Sequence, residues 1–390
     1  MSRNTRRIPF FRPSIGRSEI AAVRRVMKSG WLTTGPESTA FETEFAAFLD
    51  RGGPRPDRSL QAVALNSATA GLHLALEALG IGPGDRVAVP SLTFTATAEV
   101  VCYLGADPVF VDSSPRDGNI DPEALSRVAG TIRAVIPVHL AGHPCDMAGI
   151  RQALTGRDVF VVEDAAHAFP SRTGDGSVGT LSDIGVFSFY ATKTITTGEG
   201  GMAVTRNPDF ARRMRLMRLH GIDREVWNRY SSDAALGSWE YDIAAPGYKY
   251  NMTDMAAALG RAQLARAEVL LNRRRRLADR YAAELEGIPG VELPARADAH
   301  AWHLFMIRLP DRDARDRLAA ELHQCGIGVS VHFTPLHRMS YWRERYRLRP
   351  SDFPVAESLG DRLLSLPLWP GLPRRRQMRV VNAIRTAMNG

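Results

Sequence analysis

The chain has 390 residues, 44% hydrophobic and 24% charged, enough apolar material for a buried core and for more than one domain. Lys and Arg number 50 against 42 Asp and Glu, a net charge of +8 that favours small anionic ligands but, with the arginines dispersed, does not argue for nucleic acid. Cys102, Cys145 and Cys325 form no CxxC pair, which excludes a disulfide framework and points to a reducing cytoplasm; no apolar run is long enough to span a bilayer, and the basic N-terminus lacks the apolar segment of a secretory signal.

The first periodic segment is 18–28. Ile20, Val23 and Met27 share one helical face, which is the expected core side, with Ser18 as cap. A loop, Trp31-Leu32-Thr33-Thr34-Gly35-Pro36, leads to a second helix with Phe41, Phe45, Phe48 and Leu49 on one stripe. Residues 51–58, rich in Pro and Gly, read as a surface connection. Ala62-Val63-Ala64-Leu65 is a short apolar strand. Asn66-Ser67-Ala68-Thr69-Ala70-Gly71 then opens a helix whose core face is Leu72, Leu76 and Leu79. Small hydroxylated residues between a strand and a helix serve as an ordinary N-cap. They also make an anion site, because the first-turn amides are unpaired and the helix dipole favours a phosphate there.

Alternating units follow, with strands at 86–89, 108–111, 134–138 and 159–162 and helices at 91–103, 121–128 and 147–154. This alternation predicts an α/β fold: a largely parallel sheet covered by helices on both faces, with ligands at the carboxyl ends of the strands. Ser67, Ala68, Thr69, Phe94, His139, Glu163, Asp164, Ser188 and Lys193 all fall at such ends. A basic helix covers 208–219, residues 222–246 are irregular, and a long helical stretch with a break in it runs over 254–285. The four arginines 273–276 on that stretch read as a solvated or interface face. After Gly287, β-like segments (302–309, 328–332) mix with helices (314–323, 355–364, 374–388). The expected division is a large α/β domain over residues 1–255 and a smaller α+β domain over 256–390.

A GxGxxG occurs at Gly174-Asp175-Gly176-Ser177-Val178-Gly179, but it precedes a strand and Asp175 would repel a pyrophosphate, so it reads as a surface turn. Gly198-Glu199-Gly200-Gly201 lacks the following Lys-Ser/Thr of a Walker loop. His139 and His143 have metal-like spacing, yet Gly142 and Pro144 exclude a helix and no third ligand is near; a structural or substrate-contacting role is expected, and no metal. The informative pair is Asp164, just past the apolar strand Val161-Val162, and Lys193, just past the strand around Val186. A lysine held in a sheet-built pocket loses its proton readily and can bond to an aldehyde. Asp164 could simply cap the next helix. Beside a pyridine nitrogen, a buried carboxylate keeps that nitrogen protonated. Phe94 could stack on a flat ring or belong to the core. On these residues alone, a pyridoxal-phosphate site and a generic α/β enzyme both stand.

Longer strings go further. Pro90-Ser91-Leu92-Thr93-Phe94-Thr95-Ala96-Thr97, Glu163-Asp164-Ala165-Ala166-His167, His300-Ala301-Trp302-His303-Leu304-Phe305 and segments 29–36, 136–142, 188–201, 246–251 and 326–333 resemble the DegT/StrS-type nucleotide-sugar aminotransferases, a branch of the fold-type I pyridoxal-phosphate enzymes. The resemblance implies pyridoxal 5'-phosphate (PLP, alternating with the amine form PMP) as cofactor. It implies transfer of an amino group from glutamate to a nucleotide-linked keto sugar, at C4 of a UDP- or dTDP-sugar, for amino-sugar or polysaccharide biosynthesis. Lys193 would bond to the cofactor, Asp164 pair with the pyridine nitrogen, His167 stand near the phenolic oxygen and Phe94 cover the ring. Ala68, Thr69 and Ser188 would bind the phosphate. Asn251 looks like a residue lent to the phosphate by a neighbouring subunit, which implies a homodimer with shared sites. Many members read Gly-Tyr-Asn-Tyr-Arg where this chain has Gly247-Tyr248-Lys249-Tyr250-Asn251, so Lys249 competes with Asn251 for that role. This variant is similar to that of UDP-4-amino-4-deoxy-L-arabinose–oxoglutarate aminotransferases. Trp31, His139, Lys249 and His332 are the candidate substrate contacts. Lysine at 193 sets the chain apart from dehydratase relatives with histidine there. Two rival readings are a regulator that binds nucleotide sugar or DNA without turnover, and a pyridoxal-phosphate enzyme acting on small amino acids.

Overall fold

The computed structural model describes residues 7–51, 58–223 and 241–389. Helices α1 (Arg17–Ser29) and α2 (Pro36–Leu49) precede strand β1 (Gln61–Leu65). Then α3 (Ala68–Ala78), β2 (Arg86–Pro90), α4 (Ala96–Tyr103), β3 (Asp107–Val111), α5 (Pro122–Val128), β4 (Ala134–Val135), α6 (Met147–Ala153) and β5 (Phe160–Asp164) alternate. The GxGxxG segment forms a small hairpin, β6 (Arg172–Thr173) and β7 (Gly176–Ser177), ahead of β8 (Ile184–Ser188), β9 (Gly201–Thr205) and α7 (Pro208–Met217).

Seven strands make one sheet in the order β1-β9-β8-β5-β4-β2-β3. Only β9 runs against its neighbours, so the carboxyl ends of the other six share one edge. The sheet is buried on both faces. Val186 joins the core of Leu72 and Leu76 under α3, and the next residue, Phe187, joins that of Phe41 and Phe45 under α2. Helix α3 lies so close to the sheet that a Cβ on Gly71 would stand 2.7 Å from Val186 Cγ1.

The C-terminal part adds α8 (Asp254–Leu264), α9 (Ala267–Leu285), β10 (Phe305–Arg308), α10 (Arg312–Gln324), α11 (Ser340–Tyr346), α12 (Pro354–Arg362), β11 (Leu363–Leu366) and α13 (Arg374–Asn389). β10 and β11 pair antiparallel, and Phe305, Leu318, Leu364 and Ile384 share a second core with Leu277 and Tyr281 of α9. Leu264 and Leu270 still pack with Phe41 of the first core. Residues beyond the division expected at 256 pack in both regions, since Leu304, Leu336 and Leu359 join the core of Leu72 and Val186. The N-terminal Ile8 also belongs to the second core, bridging Ile327.

Several local expectations are corrected. In α1 the buried face is Glu19, Ala22 and Val26, whereas Ile20 and Met27 are each 63% exposed. The reason is electrostatic: Glu19 turns inward to accept hydrogen bonds from Gln263 Nε2 at 2.7 Å and Arg266 Nη1 at 2.5 Å. Helix α4 begins at Ala96 and not at Ser91, because the N–H of Ser91 donates to Val111 and its carbonyl accepts from Leu336. Segment 328–332 forms an isolated bridge, Ser330 to Ser365, in place of the expected strand, and Leu363 and Leu364 leave the expected helix to form β11. The arginine run is not uniformly solvated either, since Arg274 is 2% exposed.

Asp254 joins α8 to the start of α2. Its Oδ1 accepts from the N–H groups of Gly35 at 2.8 Å and Ser38 at 3.0 Å, and its Oδ2 from that of Glu37 at 3.2 Å. Asp254→Ala leaves these donors at a buried helix start without a partner. It should lower the unfolding free energy by about 2–4 kcal/mol, measured by denaturant titration.

Candidate active site

Three chain segments converge at the shared edge of the sheet. Asp164 closes β5, Ser188 closes β8, and β1 passes into α3 through Asn66 and Ser67. Gly201 opens β9 and lies opposite both Leu65 and Ser188. A Cβ on Gly201 would stand 2.4 Å from the carbonyl of Ser67 and 2.6 Å from the Ala68 nitrogen, so only glycine lets α3 begin there. Ser67 Oγ caps the helix by accepting from the Ala70 N–H at 3.1 Å. The amides of Ala68 and Thr69 belong to the turn that a helix leaves without internal partners, at its positive end. With Ser188 on the other side of Gly201, they form an anion cradle.

Lys193 sits in the turn between β8 and β9, its N–H donating to the Tyr190 carbonyl at 3.0 Å. Burial lowers its amine to about 8; Asp164 opposes that shift and Arg274 adds to it. About a tenth of such amines are neutral at pH 7. Burial pushes the Asp164 carboxyl up, and the N–H of Ala166, Lys193 and the Thr97 hydroxyl pull it back. Its two oxygens are separately fixed: Oδ2 accepts from Thr97 Oγ1 and Oδ1 from the Ala166 N–H, each at 3.1 Å.

His167 is a neutral imidazole. Its Nδ1 accepts from the Ala141 N–H at 3.2 Å, which leaves the proton on Nε2, and burial together with Lys193 holds it well below the usual histidine range. Its ring packs 4.4 Å from that of His303 and 6.0 Å from that of Phe333. Phe333 in turn lies 6.0 Å from Phe94. Phe94 is 57% exposed and precedes α4, so it is no core residue; it is an edge aromatic free to cover a flat ring. His332, Nδ1 2.8 Å from Ser365 Oγ, is held at about 4 by burial and Lys193. Thr97, His303, Phe333 and Arg274 belong to this site as well. The sequence singled out none of them, although Thr97, His303 and Phe333 lie inside the strings that carried the resemblance.

Other candidates lie elsewhere. His139 is corrected as a substrate contact: it is fully buried, its Nδ1 accepts from the Cys145 N–H at 3.0 Å, and its Nε2 is 3.0 Å from Glu163 Oε2. No ring nitrogen remains for a ligand. Trp31, Lys249 and Asn251 gather around Thr34. Trp31 Nε1 donates to the Thr34 carbonyl at 3.1 Å, Asn251 Nδ2 donates to Thr34 Oγ1 at 2.7 Å, and Lys249 Nζ donates to Asn251 Oδ1. Asn251 bridges Leu65 at the end of β1. A cavity of about 1020 Å³ between α2 and α7 is bordered by Thr34 and Asn251, but not by Lys193 or Asp164.

An amine of lowered basicity, a fixed carboxylate, an aromatic wall and an anion cradle fit the four parts of pyridoxal phosphate: aldehyde, pyridine nitrogen, ring and phosphate. Removing the Asp164 charge removes the one influence that raises the Lys193 amine. In cofactor-free Asp164→Asn, the midpoint for acylation of Lys193 by trace acetic anhydride, followed by mass spectrometry across pH, should fall below about 8.

A profile of the DegT/DnrJ/EryC1/StrS aminotransferase family matches residues 13–385. The chain is 41% identical to the spore coat polysaccharide biosynthesis protein SpsC of Bacillus subtilis over 390 aligned residues, 98% of this chain and 97% of that one. Its structure is similar to Spr1654 from Streptococcus pneumoniae in its PMP-form, with a TM-score of 0.89, 32% identity, and 98% of this chain and 99% of that chain covered. It is also similar to the sugar aminotransferase CalS13 from Micromonospora echinospora, with a TM-score of 0.83, 30% identity, and 97% and 99% covered. With family motifs and fold agreeing from end to end, the chain belongs to the DegT/DnrJ/EryC1/StrS aminotransferase family.

Proposed function

We propose that this chain is a pyridoxal-phosphate-dependent sugar aminotransferase that moves an amino group from glutamate to C4 of a nucleotide-linked keto sugar, a UDP- or dTDP-sugar, in amino-sugar and polysaccharide biosynthesis. The observation that carries this reading is Lys193, its amine lowered to about 8 by burial, set against Asp164 at the carboxyl edge of the sheet. The PMP-form of Spr1654, the sugar aminotransferase CalS13 and the polysaccharide protein SpsC support the cofactor, the acceptor class and the pathway class respectively.

Bound pyridoxal phosphate supplies an aldehyde that exchanges amines and a protonated pyridine ring that takes up electrons. Asp164 is the group that holds the proton at the pyridine nitrogen. Its two hydrogen bonds, from Thr97 and Ala166, fix its orientation for that task. Lys193 would hold the cofactor covalently, and its amine, when free, would be the base that takes a proton from the donor's α-carbon. The Nε2–H of His167 would be the donor toward the phenolic oxygen. Ala68, Thr69 and Ser188 receive the phosphate, and Phe94 covers the ring.

A homodimer completes the reading, with Asn251 or Lys249 offered to the partner's phosphate. Ile20, Met27 and Leu32 support it as exposed apolar side chains on and just after α1, next to the segment that leads to Thr34. A DNA-binding role finds no such support on the basic helix α7, where each arginine already has partners. Arg212 pairs with Asp209, Arg213 with Glu77 and Arg218 with Glu42, while Arg215 donates to Gln61 and the Ala62 carbonyl.

Protein loaded with pyridoxal phosphate should absorb visible light, and borohydride should fix the cofactor to Lys193; a colourless protein that binds none overturns the reading. Lys193→Ala should lower amine transfer by about a thousandfold or more with the circular dichroism unchanged. Transfer from glutamate to UDP- and dTDP-linked 4-keto sugars, compared with transfer to small keto acids, tests the acceptor. Preference for keto acids would place the enzyme among those acting on small amino acids.

A further inference from the structure

We propose that Arg274 is a positioning residue for Lys193, clamping the lysine's turn to the second core and standing beside the amine as an uncancelled cation. The proposal rests on Lys193 being the reactive amine. Arg274 is buried on α9. Its Nη1 donates to the carbonyls of Trp302 at 3.2 Å, His303 at 3.1 Å and Leu368 at 3.2 Å, and its Nη2 to that of Thr192 at 3.4 Å. Thr192 precedes Lys193, and His303 packs on His167. One planar fork thus joins the lysine's turn to the segment that supplies the histidine beside it.

All four of these acceptors are neutral carbonyls, so they solvate the guanidinium without cancelling its charge. A neutral donor could hold the same carbonyls, and a cation there has a second effect. It disfavours a proton on a neighbouring amine. The groups that act on Lys193 or respond to it come from each side of the pocket: Asp164 at the end of β5, His167 just after it, His303 ahead of β10 and His332 ahead of α11. Burial drives the three imidazoles to their neutral form. Asp164 and Arg274 are then the two fixed charges, and they act on the amine in opposite directions.

The test uses cofactor-free protein and the acylation of Lys193 across pH, read by mass spectrometry, in wild type, Arg274→Gln and Arg274→Lys. Arg274→Gln keeps an amide donor and loses the charge, so the Lys193 midpoint should rise by about one pH unit, a tenfold smaller neutral fraction near pH 7. Arg274→Lys keeps the charge and loses the fork. Its midpoint should stay within about 0.3 of wild type, while covalent capture of added pyridoxal phosphate slows about tenfold. An unchanged or lowered midpoint in folded Arg274→Gln overturns the electrostatic role, and wild-type capture by Arg274→Lys overturns the clamp. Should Arg274→Gln fail to fold, the Arg274→Lys pair of readouts decides alone: a midpoint back in the ordinary lysine range overturns the proposal. Failure of the enzymatic reading would show differently, as wild-type protein that captures no pyridoxal phosphate whatever the variants do.

Discussion

The structure depends on keeping two adjacent carboxylates buried at the end of β5. Strand alternation sends Glu163 and Asp164 to opposite faces. Glu163 is fully buried and its oxygens are fully engaged: they take the N–H groups of Gly179 and Leu181, the Ser182 hydroxyl and His139. That set pins the turn after β7 and the loop after β4 against the sheet. Asp164 is left with two hydrogen bonds and a lysine. The same strand end therefore carries one acid used to hold the fold and one that, in the proposed reading, faces the cofactor.

The sheet, its helices and the placement of Asp164, Ser188 and Lys193 at strand ends were legible because alternating apolar segments leave little freedom in topology. The Ala68–Thr69 cradle was legible as an N-cap motif, but not its tightness, which comes from Gly201, 133 residues after Ala68 and brought in by antiparallel β9. The face of α1 was misjudged because periodicity counts apolar residues. The side that turned inward carries Glu19, whose partners Gln263 and Arg266 lie on and beyond α8. For His139 a structural and a substrate-contacting role both stood open, because a histidine at a strand end looks exposed until the buried acid beside it is known.

The second core explains why the site could only be half read. His303, His332 and Phe333 reach the pocket from segments of irregular backbone, where neither period 2 nor period 3.6 marks a side chain's direction, and Arg274 comes from the inward face of α9, inside a run of four arginines that reads as solvated. The loop that carries Phe94 is also gripped from that side. Ser91 Oγ lies 2.7 Å from His337 Nδ1, the Leu336 N–H donates to the Ser91 carbonyl, and Trp342 Nε1 donates to Thr95 Oγ1 at 3.2 Å. Both walls of the pocket are thus set by contacts with C-terminal segments, and each contact is long-range in sequence.

This arrangement decides how the pocket is charged. Three imidazoles crowd the lysine, and protonation of any one would add a cation next to an amine that must lose its own proton. Burial prevents this, holding His332 at about 4 and His167 and His303 well below the usual range. The imidazoles are therefore packing surfaces and directional donors at neutral pH, not titrating switches. With them neutral, the lysine's basicity is set by burial, by one anion in front of it and by one cation behind its turn. Among the three imidazoles and the lysine, the lysine, lowered to about 8, is the group whose titration reaches the neutral range. An amine tuned this way stays partly unprotonated across the physiological range, whereas one tuned by a histidine of ordinary basicity would change with every shift in pH.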